Sequence, residues 1–253
     1  MKPRPFLLKE INLKTVQEID HKVAILPWGA TEAHNYHLPY GTDIYESEFI
    51  AEVAAKLAWE KGAKVIVLPA IPFGVNTQQL DIKLTINMNP STQAIILKDV
   101  IESLEKHGIE KFVILNSHGG NNFKQMIREL QKDTTIFLCS LSWFEINWEE
   151  FFEKGGDHAN EMETSLMLST HPELVSPLNE AGKGTAKTFK ITAFKEKWVW
   201  APRAWTSVTR DTGIGNPKLA TAEKGKKYIN LITEKIAQFF VDLYKADVQD
   251  MYE

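Results

Sequence analysis

The chain has 253 residues, 43% apolar and 25% charged, with a formal net charge of −4. That balance suits a globular protein with a sizeable core and gives no reason to expect nucleic acid or an anionic membrane as a partner. No apolar stretch approaches the ~18 residues of a membrane helix. The N-terminal residues carry no apolar signal core, so a cytoplasmic location is expected.

Strand-like apolar runs lie at 23–27, 64–69, 111–116 and 135–140, each bounded by Gly, Pro or Asn. Between them run helical patterns at 44–61, 91–107 and 122–132, with Asn89 or Ser91 as a plausible cap for the second. This alternation predicts an α/β fold of one domain over 1–253, a mainly parallel sheet flanked by helices. The one cysteine, Cys139, excludes an internal disulfide and reads as an inert thiol in the fourth apolar run. Residues 141–158 are aromatic and acidic without clear period. A helix is expected over 159–170, irregular chain over 179–217, and a long amphipathic helix over about 218–246.

Three polar clusters punctuate this pattern. The first follows the first strand: Glu32, His34 and, past Pro39 and Gly41, Asp43. In an extended chain residues 32 and 34 point the same way. A carboxylate–imidazole–carboxylate set suits Zn²⁺, Mn²⁺ or Fe²⁺, and a carboxylate can bridge two ions. The plainer alternative is that Asp43 caps the next helix and His34 is a solvated loop residue, at about even weight from spacing alone.

The second cluster, Asn116-Ser117-His118-Gly119-Gly120-Asn121, follows the third strand and precedes a helix. Its glycines permit close backbone approach to a ligand and free amides that stabilise a developing oxyanion. An ordinary strand-to-helix turn with a capping Asn is the alternative. The third cluster contains His158, Glu161 and Glu163 at a helix start, with the two glutamates on different faces. Read alone, it is a charged helix start.

Taken in order, these stretches resemble the creatininase (creatinine amidohydrolase) family. The match runs through Leu26-Pro27-Trp28-Gly29-Ala30-Thr31-Glu32-Ala33-His34, His37-Leu38-Pro39-Tyr40-Gly41-Thr42-Asp43, Asn116 to Asn121, His158-Ala159 with Glu163-Thr164-Ser165, Gly215-Asn216-Pro217 and Ala220 to Gly225. The resemblance implies a two-metal centre that hydrolyses a C–N amide bond in a small, often cyclic, amide by means of a metal-bridged hydroxide. It implies Glu32 and His118 as ligands of one ion, His34 and Glu163 of the other, and Asp43 as the bridge. His158 takes the proton-transfer role, with His158 or Glu163 protonating the leaving nitrogen. Zinc is the expected metal, with manganese or iron as alternatives, and a homo-oligomer, a hexamer by family habit, is expected.

The chain also departs from the pattern. Creatinine-hydrolysing members carry a glutamate ligand where this chain has Gly120 and a tryptophan where it has Lys154, and the usual Gly after His-Ala is Asn160. These departures point away from creatinine as substrate. Deformylation of a formylamide, peptide cleavage or a catalytically lost binding protein are the competing readings. Trp143, Trp148, Trp198, Trp200 and Trp205 crowd the irregular segments, as a pocket wall or as a subunit interface. Arg203 and Arg210 could bind a substrate anion or sit in surface salt bridges.

Overall fold

Four short apolar strands form one parallel sheet. The computed structural model describes residues 3–153 and 155–253. Its strands are β1 (Val23–Trp28), β2 (Val65–Val67), β3 (Lys111–Asn116) and β4 (Phe137–Ser142), in the order β2-β1-β3-β4. β1 pairs with β2 through Ile25↔Val67 and runs alongside β3 to Trp28↔Asn116. β1 is central, yet it contains Pro27. A proline in a central strand normally removes a ladder bond. Here β2 pairs with β1 only as far as Val67, so the missing N–H falls on a side where no strand partner remains.

The helices are α1 (Leu13–Gln17), α2 (Thr42–Glu60), α3 (Pro90–Glu105), α4 (Lys124–Leu130), α5 (Glu161–Thr170), α6 (Thr192–Lys195), α7 (Trp205–Val208) and α8 (Ala222–Lys245). The long helices fall where the periodicity places them, shifted by a few residues at their ends. Asn89 stands at the N-cap of α3 with Pro90 in the first turn, but its side chain does not cap the helix; its Oδ1 accepts from Asn87 Nδ2 at 2.7 Å instead.

The two faces of the sheet follow the period-two rule. Val23, Ile25, Val113 and Leu115 pack with Ile50, Ala51 and Ala54 of α2 and with Tyr228, Ile232, Ile236 and Phe240 of α8. Ala24, Leu26, Trp28, Phe112 and Ile114 pack with Leu97 and Ile101 of α3 and Met126 of α4. The result is a three-layer α/β/α arrangement. Among the described residues no helix is long and apolar enough to cross a membrane.

The strand order also places the site. From β1 the chain moves to one side to form β2, then crosses to the other side to form β3. That reversal opens a crevice beyond the carboxyl ends of β1 and β3, where open α/β sheets bind ligands. Gly29 lets the start of α2 close on this crevice: a Cβ there would lie 2.7 Å from Ile44 N and 2.9 Å from Asp43 O.

Candidate metal centre

Glu32 and His34 lie on the loop after β1, and His118 on the loop after β3. Asp43 occupies the first turn of α2 and Glu163 the first turn of α5, where helix N-termini favour carboxylates. Asn160 takes the N-cap of α5, accepting from Met162 N at 2.9 Å and Glu163 N at 3.1 Å, which gives the residue in place of the usual glycine a structural task. His158 is held on the preceding loop by a two-way backbone bridge to Ile214.

All five candidate ligands and His158 converge. Potential ligand atoms of Glu32, Asp43 and His118 lie within 4.8 Å of one another, as do those of His34, Asp43 and Glu163. Asp43 belongs to both groups. A third group joins Glu32, His34 and His158.

The three imidazoles share one construction. His34 Nδ1 lies 3.1 Å from Glu32 O, His118 Nε2 lies 3.1 Å from Val75 O, and His158 Nε2 lies 2.8 Å from Ala33 O. A backbone carbonyl only accepts, so each of those nitrogens carries the hydrogen. The second nitrogen of each ring then turns to the carboxylates. His34 Nε2 is 3.0 Å from Asp43 Oδ1. His118 Nδ1 is 3.0 Å from Glu32 Oε1 and 3.1 Å from Asp43 Oδ2, and His158 Nδ1 is 3.6 Å from Glu32 Oε1. Anchoring one ring nitrogen on a carbonyl while the other faces ligand oxygens is how metal-binding histidines are oriented. Despite its 3.1 Å contact with His118 Nδ1, Asp43 Oδ2 has no hydrogen-bond partner. The donor set, two imidazoles and three carboxylates, fits divalent ions.

The electrostatics follow from this crowding. Burial works against charge on His34, but Asp43, with Glu32 and Glu163, overrides it and raises the imidazole to about 10. His118 is likewise raised well above the ordinary value, burial losing to Glu32 and Asp43. Asp43 and Glu32 are lowered: burial opposes their ionisation, and the neighbouring imidazoles outweigh it. Glu163 is raised by burial, with His34 and His158 opposing, and its Oε2 accepts from Ala159 N. Its helix neighbour Glu161 faces away, paired with Lys224 Nζ at 2.6 Å.

Gly120 explains the missing glutamate. A Cβ at this position would lie 2.3 Å from Val75 O and 2.4 Å from His118 Nε2, inside the bond that anchors His118. No side chain fits there while that bond is made. The loop itself is clamped by Asn116, whose Oδ1 accepts from His118 N and Asn121 Nδ2, both at 3.1 Å.

The crevice opens into a cleft of about 540 Å³ whose walls include Glu32, Gln79, His118, His158, Trp200 and Trp205. The tryptophans divide. Trp143 is fully buried in the core with its Nε1 donating to Ser117 Oγ at 2.7 Å, so it is neither pocket wall nor exposed interface, and Trp148, partly buried, packs against the same core. Trp205 lies edge-on to His158, with ring centroids 5.3 Å apart. Trp198 and Trp200 are 72% and 83% exposed. Arg203 lines the cleft, paired with Asp157 at 2.9 Å and stacked on Trp205, whereas Arg210 lies off it. Lys154 lies outside the described residues.

Two buried residues escaped the sequence reading. Glu46 sits one turn after Asp43, with neither carboxylate oxygen in a hydrogen bond, and burial beside Glu163 and Asp43 pushes it well above the usual range. Its i,i+3 spacing from Asp43 was the available signal. Gln79 donates from Nε2 to Glu32 Oε2, and nothing in its local sequence announces this.

Comparisons with known proteins identify the family. A family profile described as creatinine amidohydrolase matches residues 9–240. The creatinine amidohydrolase of Pseudomonas putida is 27% identical over 239 residues, covering 85% of this chain and 87% of its own. A mycofactocin precursor peptide peptidase of Mycobacterium tuberculosis is 26% identical, covering 80% and 78%. Among solved structures, a Bacteroides fragilis protein described as a candidate creatinine amidohydrolase is 44% identical with a TM-score of 0.92, covering 98% of this chain and 99% of its own. Creatininase structures described as Zn–Zn and Mn forms share the fold at 22% identity, with TM-scores of 0.78 and 0.73. The chain belongs to the creatinine amidohydrolase family and is a metal-dependent amidohydrolase.

Proposed function

We propose that the chain, acting as one domain over 1–253, hydrolyses a C–N amide bond in a small cyclic amide at a two-metal centre. One divalent ion would be held by Glu32, Asp43 and His118, the other by His34, Asp43 and Glu163, with Asp43 shared. The observation that carries this reading is the common construction of the histidines: one nitrogen on a backbone carbonyl, the other aimed at a buried carboxylate. Zinc is the expected metal. Bound there, divalent ions would lower the pKa of water towards ~7 and so would supply a nucleophile at neutral pH.

The chain's own groups do the rest. His158, buried at the cleft wall with Nε2–H fixed on Ala33 O, presents Nδ1 to the site. In this position it can take a proton and pass it to the leaving nitrogen, without which amide cleavage stalls. Glu163, raised by burial, is the second group able to carry that proton. The amides of Gly119 and Gly120, on the cleft wall, stabilise charge on the substrate oxygen. Trp205 shields His158 from solvent on its edge.

A second reading is peptide or formamide cleavage. It is favoured by the cleft's size, about 540 Å³, which suits a ligand larger than one small ring. Gly120 and Lys154, where creatinine-hydrolysing members carry a glutamate and a tryptophan, argue against creatinine.

The test is metal analysis joined to a hydrolysis screen. Protein reconstituted with zinc, manganese or iron is expected to hold about two ions per chain and to cleave one class among cyclic ureides, lactams, formamides and short peptides. Glu32→Ala is expected to lose both ion and turnover. Protein that takes up no divalent ion from any supply overturns the reading. The reading also includes a homo-oligomer, a hexamer by family resemblance, and a cytoplasmic location, to be checked by sedimentation and cell fractionation.

A further inference from the structure

Gln79 carries none of the roles above, yet it is 1% exposed and touches the candidate centre directly. It ends the single turn Thr77–Gln79 on the cleft wall. Its Nε2 donates to Glu32 Oε2. The other oxygen of Glu32, Oε1, faces His118 Nδ1 at 3.0 Å, His158 Nδ1 at 3.6 Å and His34 Nε2 at 3.9 Å.

A carboxylate only accepts, so the orientation of the Gln79 amide is determined: the NH₂ group faces Glu32. Its Oε1 is left buried without a hydrogen-bond partner. The amide is thus held at some cost for the sake of its donor. The backbone of the turn is pinned, with Gln79 N donating to Asn76 O and Ile82 N donating to Gln79 O, both at 2.9 Å. Asn76 is pinned in turn, its N donating to Asn87 Oδ1 at 2.8 Å and its Nδ2 to Ile86 O at 3.2 Å.

The same short segment also carries Val75, whose carbonyl anchors His118 Nε2 at 3.1 Å and whose N–H is held by Asn121 Oδ1 at 3.1 Å. Residues 75–79 therefore orient both groups that join Asp43 at one candidate ion site, His118 through a main-chain carbonyl and Glu32 through a side-chain amide.

We propose that Gln79 is a positioning residue that occupies Glu32 Oε2 and leaves Oε1 alone to bind the ion, fixing Glu32 as a one-oxygen ligand. This rests on the two-metal reading above. Without the donor, the Glu32 carboxylate is free to rotate and to offer both oxygens to one ion. Loss of such an outer partner weakens metal affinity by about 10–100-fold.

The test uses Gln79→Met, which keeps the length and removes the donor, compared with the unaltered protein. Zinc affinity is measured by competition with a chromophoric chelator, the visible absorption of the Co²⁺-loaded proteins reports coordination number, and thermal unfolding reports the fold. The expected result is a folded Q79M protein whose zinc affinity falls about 10–100-fold and whose Co²⁺ absorption weakens as the coordination number rises. A folded Q79M protein with unchanged affinity and spectrum overturns the proposal while leaving the two-metal reading standing. If the unaltered protein binds neither ion, both fall. If Q79M does not fold, Gln79→Leu, which removes the donor without adding a titratable group, is read by the same criteria.

Discussion

Placing a methyl group on Gly120 perturbs the centre at a single defined point. In Gly120→Ala the new Cβ would sit 2.3 Å from Val75 O and 2.4 Å from His118 Nε2, so it falls inside the bond that these two atoms make at 3.1 Å. Ordinary contact needs roughly 1 Å more on each side, and close-packed interiors do not supply it without displacement. Two consequences follow. Overpacking of this kind costs about 1–3 kcal/mol, which for a chain of this size lowers the melting temperature by about 2–12 °C. Separately, His118 loses the carbonyl that sets its tautomer and direction, which weakens metal affinity by about 10–100-fold. Calorimetric unfolding of the metal-free protein reads the first effect, and chelator competition with zinc reads the second. G120A protein with unchanged zinc affinity and a melting temperature within about 1 °C of the parent would refute the argument that Gly120 is required for His118 to keep its anchor.

Three further outcomes are expected. His158→Asn should leave fold and metal content intact, because His158 is tied in through its backbone to Ile214, and should lower turnover by about 10²–10⁴-fold; loss of an ion instead would make His158 a ligand. Metal binding should release protons near neutral pH, because His34 titrates at about 10 and His118 well above 6.5 in the metal-free protein, while ligation needs both neutral. The stabilising His34–Asp43 contact of the metal-free fold is then fully present below the ordinary imidazole value and lost as pH rises through about 10; zinc addition to weakly buffered protein that produces no acidification would contradict this. Cys139, its thiol pushed by burial up to about 12, should react with a thiol reagent at neutral pH only after unfolding; rapid labelling of the native protein would count against it.

The sequence exposed those parts of the site whose cause is local. His118 was legible as a candidate because an apolar strand ends at Asn116 and two glycines follow, and Glu32 and His34 because they follow the apolar run 23–27. Asp43 was ambiguous between cap and ligand; the fold gives the cap of α2 to Gly41 and sets Asp43 in its first turn, 3.0 Å from His34 Nε2. Gln79 was not legible: its contact with Glu32 spans 47 positions and depends on how the loop after β2 folds back over β1. Glu46 was hidden because an acid one turn after Asp43 reads as a solvated helix face, and only the packing of α2 against the sheet shows it to be buried. Trp143 was misjudged for the opposite reason. It lies in an irregular aromatic stretch, where no period marks which ring turns inward, yet its indole N–H reaches Ser117 and its ring fills the core. Chain ends and caps were the least secure details, as Asn89 shows: it stands at the boundary but spends its side chain on Asn87.

The strand order β2-β1-β3-β4 has a further consequence, for the order of events in folding. Glu32 and His118 become neighbours only when the crossover through α3 has delivered β3 to the side of β1, and Glu163 joins only when α5 has docked. Each proposed ion site takes two ligands from residues 32–43 but its third from a distant segment, so the early chain offers an ion only an incomplete site, unlike a zinc finger, where the metal nucleates the fold. The non-local parallel pairing sets the pace of folding by itself. Contacts completed after the rate-limiting step act on the reverse reaction, so bound ions should slow escape from the native state far more than they hasten its formation. On this order of events a bound metal would act as a late latch on a structure that the apolar strands build first.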